Sequence, residues 1–89
     1  MGVKVEELGW QVATFAADRL HPDEYSCVGS SAVWEAYLAW CRERHAVPLA
    51  FAVFHNEFEK VAEAVGMKRR QVGAHVNYDG VRVESTVTA

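Results

Sequence analysis

Lys68, Arg69 and Arg70 stand side by side in the stretch GMKRRQVGAHVNYDGVRV, Gly66 to Val83, which holds four of the chain's nine lysines and arginines. Cationic side chains at this density are suited to contacting phosphates, because each phosphate they neutralise releases bound counterions. If these three and Arg82 each met a phosphate, log K would fall with log salt at a slope of about −3.6. On an alternating strand Lys68 and Arg70 point one way and Arg69 the other. All three reach one ligand only where the strand is wet on both faces. The competing reading is an edge strand whose charges block aggregation. His75 and Asn77, a few residues on, carry groups that donate or accept at a base edge or a phosphate. They serve equally well as ordinary surface hydrogen-bonding groups.

The rest of the chain offers no catalytic constellation. It has no glycine-rich phosphate loop, no H-E-x-x-H, and no G-x-S-x-G around Ser30 or Ser31, so an enzyme is not expected. Asp18, His21 and Asp23 bring acid and base types together, but at a helix end where capping accounts for them. Cys27 and Cys41 form no C-x-x-C pair and read as buried free thiols. Cys41-x-x-x-His45 lacks a second ligand pair, so no metal and no cofactor are expected.

With 89 residues, 51% hydrophobic and 11% aromatic, the chain suffices for one domain with one compact core. Charge is unevenly placed. Residues 1–65 carry five Lys and Arg against ten Asp and Glu; residues 66–89 carry four against two, for a total of −3. Net acidity disfavours indiscriminate coating of nucleic acid, while a local basic patch remains available. No stretch approaches the roughly 20 apolar residues that span a bilayer. MGVKVEELG is acidic where a secretory signal is basic, and Glu6 stands where myristoylation needs Ser or Thr. A cytoplasmic protein without membrane contact is the expectation.

The basic stretch needs elements to hold it. Val5, Leu8, Val12, Phe15 and Ala16 share one helical face, predicting a helix over about 4–20, and Pro22 stops it. YSCV predicts one short strand. Ser30 and Ser31 offer an N-cap to a second helix over about 31–45, with Val33, Trp34, Tyr37, Leu38 and Cys41 inward. A third helix, about 49–65, buries Phe51, Phe54, Phe58, Val61 and Val65 and ends at Gly66, which accepts positive φ. Ala50 stands where a capping side chain belongs. The outward face of this helix carries Ala52, His55, Asn56, Glu59 and Glu63. Its carboxylates repel phosphates, so His55 and Asn56 in the first turns are its candidates for contact. Trp10 and Trp40 fall off or at the margin of their stripes and are candidates for a partner interface.

From Met67 the period becomes 2, predicting a hairpin over 67–84 with its turn either near Gly73 or at Asp79-Gly80. The tail ESTVTA is expected to fray. Three helices, a short strand and a C-terminal β-hairpin make an α+β chain in the order of a winged helix-turn-helix.

WEAYLAWCRERHAVPLAFAVFHNEFEKVAEAVGMKRRQVGAHVNYDGVRV resembles the winged-helix domain of the regulatory factor X type. It is closer to the C-terminal domain of poxvirus-like helicase-primases and of phage and plasmid primases. The resemblance rests on Tyr37, Trp40 and Cys41 ending an aromatic helix, then Pro48 and Leu49, Phe54 and Phe58, Gly66, a basic strand, and Tyr78, Gly80, Val81 and Val83. It covers about residues 30–84. It implies a recognition helix at 49–65 and a wing at 67–83 with its tip near Gly73 and YDGVRV inside the last strand. It also implies duplex DNA as partner, in replication or transcription regulation. Ala50 and the acidic third helix depart from that pattern, and keep open a protein-interaction or homodimerisation module that binds no DNA.

Overall fold

The computed structural model describes residues 5–84, with side chains from Trp10 onward. The expected core positions Val5 and Leu8 and the tail beyond Glu84 lie outside the described side chains. Three helices, α1 (Val5–Arg19), α2 (Ser30–Glu43) and α3 (Phe51–Ala64), accompany three strands, β1 (Leu20–Gly29), β2 (Lys68–Val72) and β3 (His75–Val83). The strands form one antiparallel sheet in the order β1-β3-β2. The protein is an α+β domain with helices on one side of this sheet.

The core follows the helical spacing where the helices meet the sheet. Val12, Phe15 and Ala16 of α1, Val33, Tyr37 and Cys41 of α2, and Phe54 and Phe58 of α3 close on Tyr78 and Val81 of β3. Tyr37 is its hub: fully buried, it stacks on Phe54 at 4.2 Å and meets Phe15 edge-on at 5.5 Å. Its hydroxyl accepts from Leu49 N–H at 2.9 Å and donates to Gln11 Oε1 at 2.9 Å. Burial pushes this phenol up to about 12. It also pushes the Cys41 thiol up.

Several expectations are corrected. Trp40 is 3% exposed and so offers no partner surface. It lies in the aromatic cluster beside Tyr37 and Phe15, its Nε1 donates to Asp18 Oδ2 at 2.9 Å, and the Arg44 guanidinium covers its ring at 4.6 Å. Phe51 and Val65, expected inside, are 52% and 64% exposed because they sit at the two ends of α3, beyond the reach of the core. Cys27 is exposed on the open face of the sheet, while Cys41 is buried. The cap of α2 is Gly29, with no side-chain hydrogen bond from Ser30 or Ser31. Asp18 serves Trp40, and His21 pairs with Glu84 at 3.2 Å, so neither caps a helix.

The predicted short strand is a long one interrupted by a lobe. Leu20 to Pro22 pair with Val83 to Val81, and Cys27 to Gly29 pair with Asp79 to Asn77. Between them Asp23–Ser26 bulge out opposite Gly80. Asp23 closes the lobe by accepting from Ser26 Oγ at 2.8 Å and Tyr25 N–H at 3.1 Å. These two bonds, the hydroxyl's first, hold its carboxyl below the usual range. Gly80 has φ +81°, so the chain steps through a bulge there and both Tyr78 and Val81 face the core despite their three-residue separation. The hairpin turn falls at Gly73-Ala74 instead.

Helices α2 and α3 end in the same way. Met67 N–H reaches Ala62 O and Gly66 N–H reaches Glu63 O, with Gly66 at φ +80°. Ala46 N–H reaches Cys41 O and His45 N–H reaches Arg42 O, but here His45 takes φ +55°. This is the Schellman motif, and a Cβ in that conformation is strained. His45→Gly should stabilise the domain by about 0.5–1 kcal/mol net of glycine's added chain entropy. His45→Ala, which keeps the Cβ, should not, and equal urea midpoints for the two variants would refute the strain.

Candidate nucleic-acid interface

Strand register divides the basic residues between two faces. Lys68 lies opposite Asp79, Arg70 opposite Asn77, and Val72 opposite His75, all on the face turned away from the helices. Arg69 lies opposite the buried Tyr78, on the α3 side. Arg82, opposite His21, joins the open face further along β3. Asn77 is half-buried over Gly29, where an added Cβ would come within 3.2 Å of its Oδ1. His75 is exposed just past the turn.

On the α3 side, Glu59 gathers two donors and a histidine ring at one oxygen. Its Oε1 accepts from Arg69 Nε at 2.9 Å and Tyr78 OH at 3.2 Å, and lies 3.3 Å from His55 Nε2. Burial first, and the Glu59 charge second, push the Tyr78 phenol up to about 12, so it stays a donor. The structure therefore brings His55 and Arg69 together across α3 and β2, with exposed Asn56 one residue on. Glu59 does not stand outward as an uncompensated repulsive charge. Glu57 is likewise engaged, by Lys60 at 3.3 Å.

On the open face, Arg70 makes a two-pronged contact with Asp79, Nε to Oδ2 and Nη2 to Oδ1, both at 3.1 Å. That hydrogen bond, with the aspartate charge behind it, raises the Arg70 pKa further. Arg82 Nε lies 4.0 Å from Asp23 Oδ2. Among the described residues Lys68 is the one strand β2 cation without a carboxylate partner.

Every residue of β2 is exposed, and so are Gly73 and Ala74 at the turn. Val72, one of the hairpin's alternating apolar residues, is 49% exposed. The outer half of the hairpin thus stands clear of the core with both faces wet, while Tyr78 and Val81 anchor its base.

Sequence spacing placed His55 and Glu59 four apart on α3, but the carboxylate partners of Arg69 and Arg70 depend on strand register and left no local signal. A second surface adjoins the base of the hairpin, where it reaches Lys68 and Asp79. A groove of about 820 Å³ runs between α1 and the end of α3, lined by Ala13, Ala17, Leu20, Val61, Val65 and Met67 among others. Trp10, 70% exposed, precedes Ala13 and Ala17 on the same helical face. Among the described residues no group of three or more His, Cys, Asp and Glu side chains converges as metal ligands, and no helix is long and apolar enough to cross a membrane.

No curated protein and no solved structure matches the chain. The sequence pattern of the family described as poxvirus D5 protein-like does match, over residues 11–85, which takes in the end of α1, all of α2 and α3, the sheet and the hairpin. That span is most of the chain, and the protein belongs to the poxvirus D5 protein-like family.

Proposed function

We propose that this domain is a non-enzymatic, duplex-DNA-binding module of a replication apparatus, acting in the cytoplasm and built as a winged helix. The observation that carries this reading is the hairpin wet on both faces, which lets Lys68 and Arg70 on one side and Arg69 on the other reach the same duplex. The element order, with α3 beside the hairpin, fits a recognition helix and wing, and family membership supports a role in replication. Lys68, Arg69, Arg70 and Arg82 contact phosphates, His75 and Asn77 assist from the second hairpin strand, and His55 and Asn56 approach from the first turns of α3.

Titrating a labelled duplex at about 50 and about 200 mM salt tests this, because phosphate contact makes affinity fall with salt. The wild type should bind at low salt and weaken at high salt, and Lys68→Glu/Arg69→Glu/Arg70→Glu should abolish binding. No binding at low salt, or an unaffected variant, would refute the reading.

A second reading, a protein-interaction or homodimerisation module, is favoured by Trp10 and the apolar groove beside it. In that case Trp10→Ala would shift the mass seen by light scattering, and the charge-reversed variant would behave as wild type.

A further inference from the structure

We infer that Phe51 is a stacking platform for an unpaired nucleobase, so that the ligand of this face is a duplex end carrying a single-stranded overhang. The inference rests on the duplex-binding reading above and adds a subsite to it. Phe51 is the first residue of α3 and 52% exposed, yet its ring is held in place. Trp34 of α2 meets it edge-on at 5.1 Å and 88°, and His55, one turn along α3, lies near parallel to it at 5.9 Å and 22°. Trp34 is itself braced by Phe54 of the core at 5.4 Å.

An aromatic side chain held by two ring neighbours and yet half in water forgoes burial and leaves aromatic surface open to a ligand, on which base stacking draws. The charge around it suits a nucleotide. No acidic residue lies in the first turn of α3. From the ring toward the hairpin the surface passes His55 and Glu59 to Arg69, while Lys68 lies on the other face of the strand. A base on Phe51 would have its backbone led toward Arg69.

The test compares a short blunt duplex, the same duplex with an unpaired overhang, and the free overhang strand, by anisotropy of a labelled strand. Wild type should prefer the overhang duplex. Phe51→Ala should weaken binding of the overhang duplex and free strand roughly tenfold, the scale of one lost base stack, and leave the blunt duplex unchanged. Phe51→Tyr should keep the preference, and Lys68→Glu should weaken both duplexes. Circular dichroism melting of Phe51→Ala checks that the core, which this ring only borders, is intact. Equal binding of the two duplexes by wild type, equal losses in Phe51→Ala, or no loss on any DNA would overturn the platform. If the blunt duplex is not bound at all, the duplex reading falls by itself. The free strand then decides the platform: weaker binding by Phe51→Ala upholds it, and unchanged or absent binding removes it.

Discussion

Tyr37→Ala should destabilise the domain by about 3–5 kcal/mol, the range for deleting a large buried aromatic side chain. A domain holds roughly 0.05–0.15 kcal/mol per residue, so a chain this short would lose much of its stability and melt near or below ambient temperature. The size of the effect comes from position. The ring is fully buried between Phe54 and Phe15, with Trp34 and Trp40 also adjoining it, so its removal opens a cavity shared by α1, α2 and α3. Tyr37→Phe keeps the ring but orphans the Leu49 N–H, which fixes the entry to α3. It should cost about 1 kcal/mol, the net worth of a hydrogen bond at a half-buried donor. Urea unfolding followed by circular dichroism measures both. A midpoint for Tyr37→Ala close to wild type would mean that the three helices are held by something else.

The second large effect concerns charge. Glu59→Gln/Asp79→Asn should strengthen duplex binding. In the free protein Arg69 and Arg70 are already occupied by carboxylates, at 2.9 Å and through two bonds of 3.1 Å. A phosphate must displace each before it gains that cation, and the displaced carboxylate then repels it. Neutral amides keep the shape and can still accept a hydrogen bond, but they no longer compete as charges. The same arginines meet the same phosphates in both proteins, so the slope of log K against log salt should stay close to that of the wild type. Sparing the rupture of two exposed ion pairs, about 0.2–1 kcal/mol each, should tighten binding several-fold. Melting temperature should hardly move, since exposed ion pairs contribute little to stability. An unchanged affinity in the double variant would show that neither arginine meets a phosphate.

Much of what depended on helical spacing was legible in the sequence, though the caps expected of Ser30, Ser31, Asp18 and His21 were not there. Val12, Phe15 and Ala16, then Val33, Tyr37 and Cys41, then Phe54 and Phe58 are inside as the helical period predicts, and Gly66 takes the positive φ its position predicted. The alternation of the basic strand also places Lys68 and Arg70 apart from Arg69. Periodicity could not see where the core ends. Phe51 and Val65 continue the stripe of Phe54 and Phe58 but overhang the packed layer at either end. On α2 the buried arc is rotated from the expected stripe, taking in Trp40 and leaving Trp34 and Leu38 half-buried, because the helix packs on α1, β1 and β3 together. The candidate site was legible as a set of cations and opaque as a set of pairs. Arg69 with Glu59 and Arg70 with Asp79 meet only once the turn at Gly73-Ala74 and the bulge at Gly80 have set the register.

The lobe at Asp23–Ser26 bears on how much the chain length can vary. It is closed by its own hydrogen bonds, carries Tyr25 at 91% exposure, and separates two stretches of β1 that each keep their own partners on β3. Residues added between Glu24 and Tyr25 would enlarge the lobe without shifting the register on either side. Relatives of unequal length can therefore be accommodated at this point, and an inserted tag or fused reporter there would leave the helical core and the hairpin where they are.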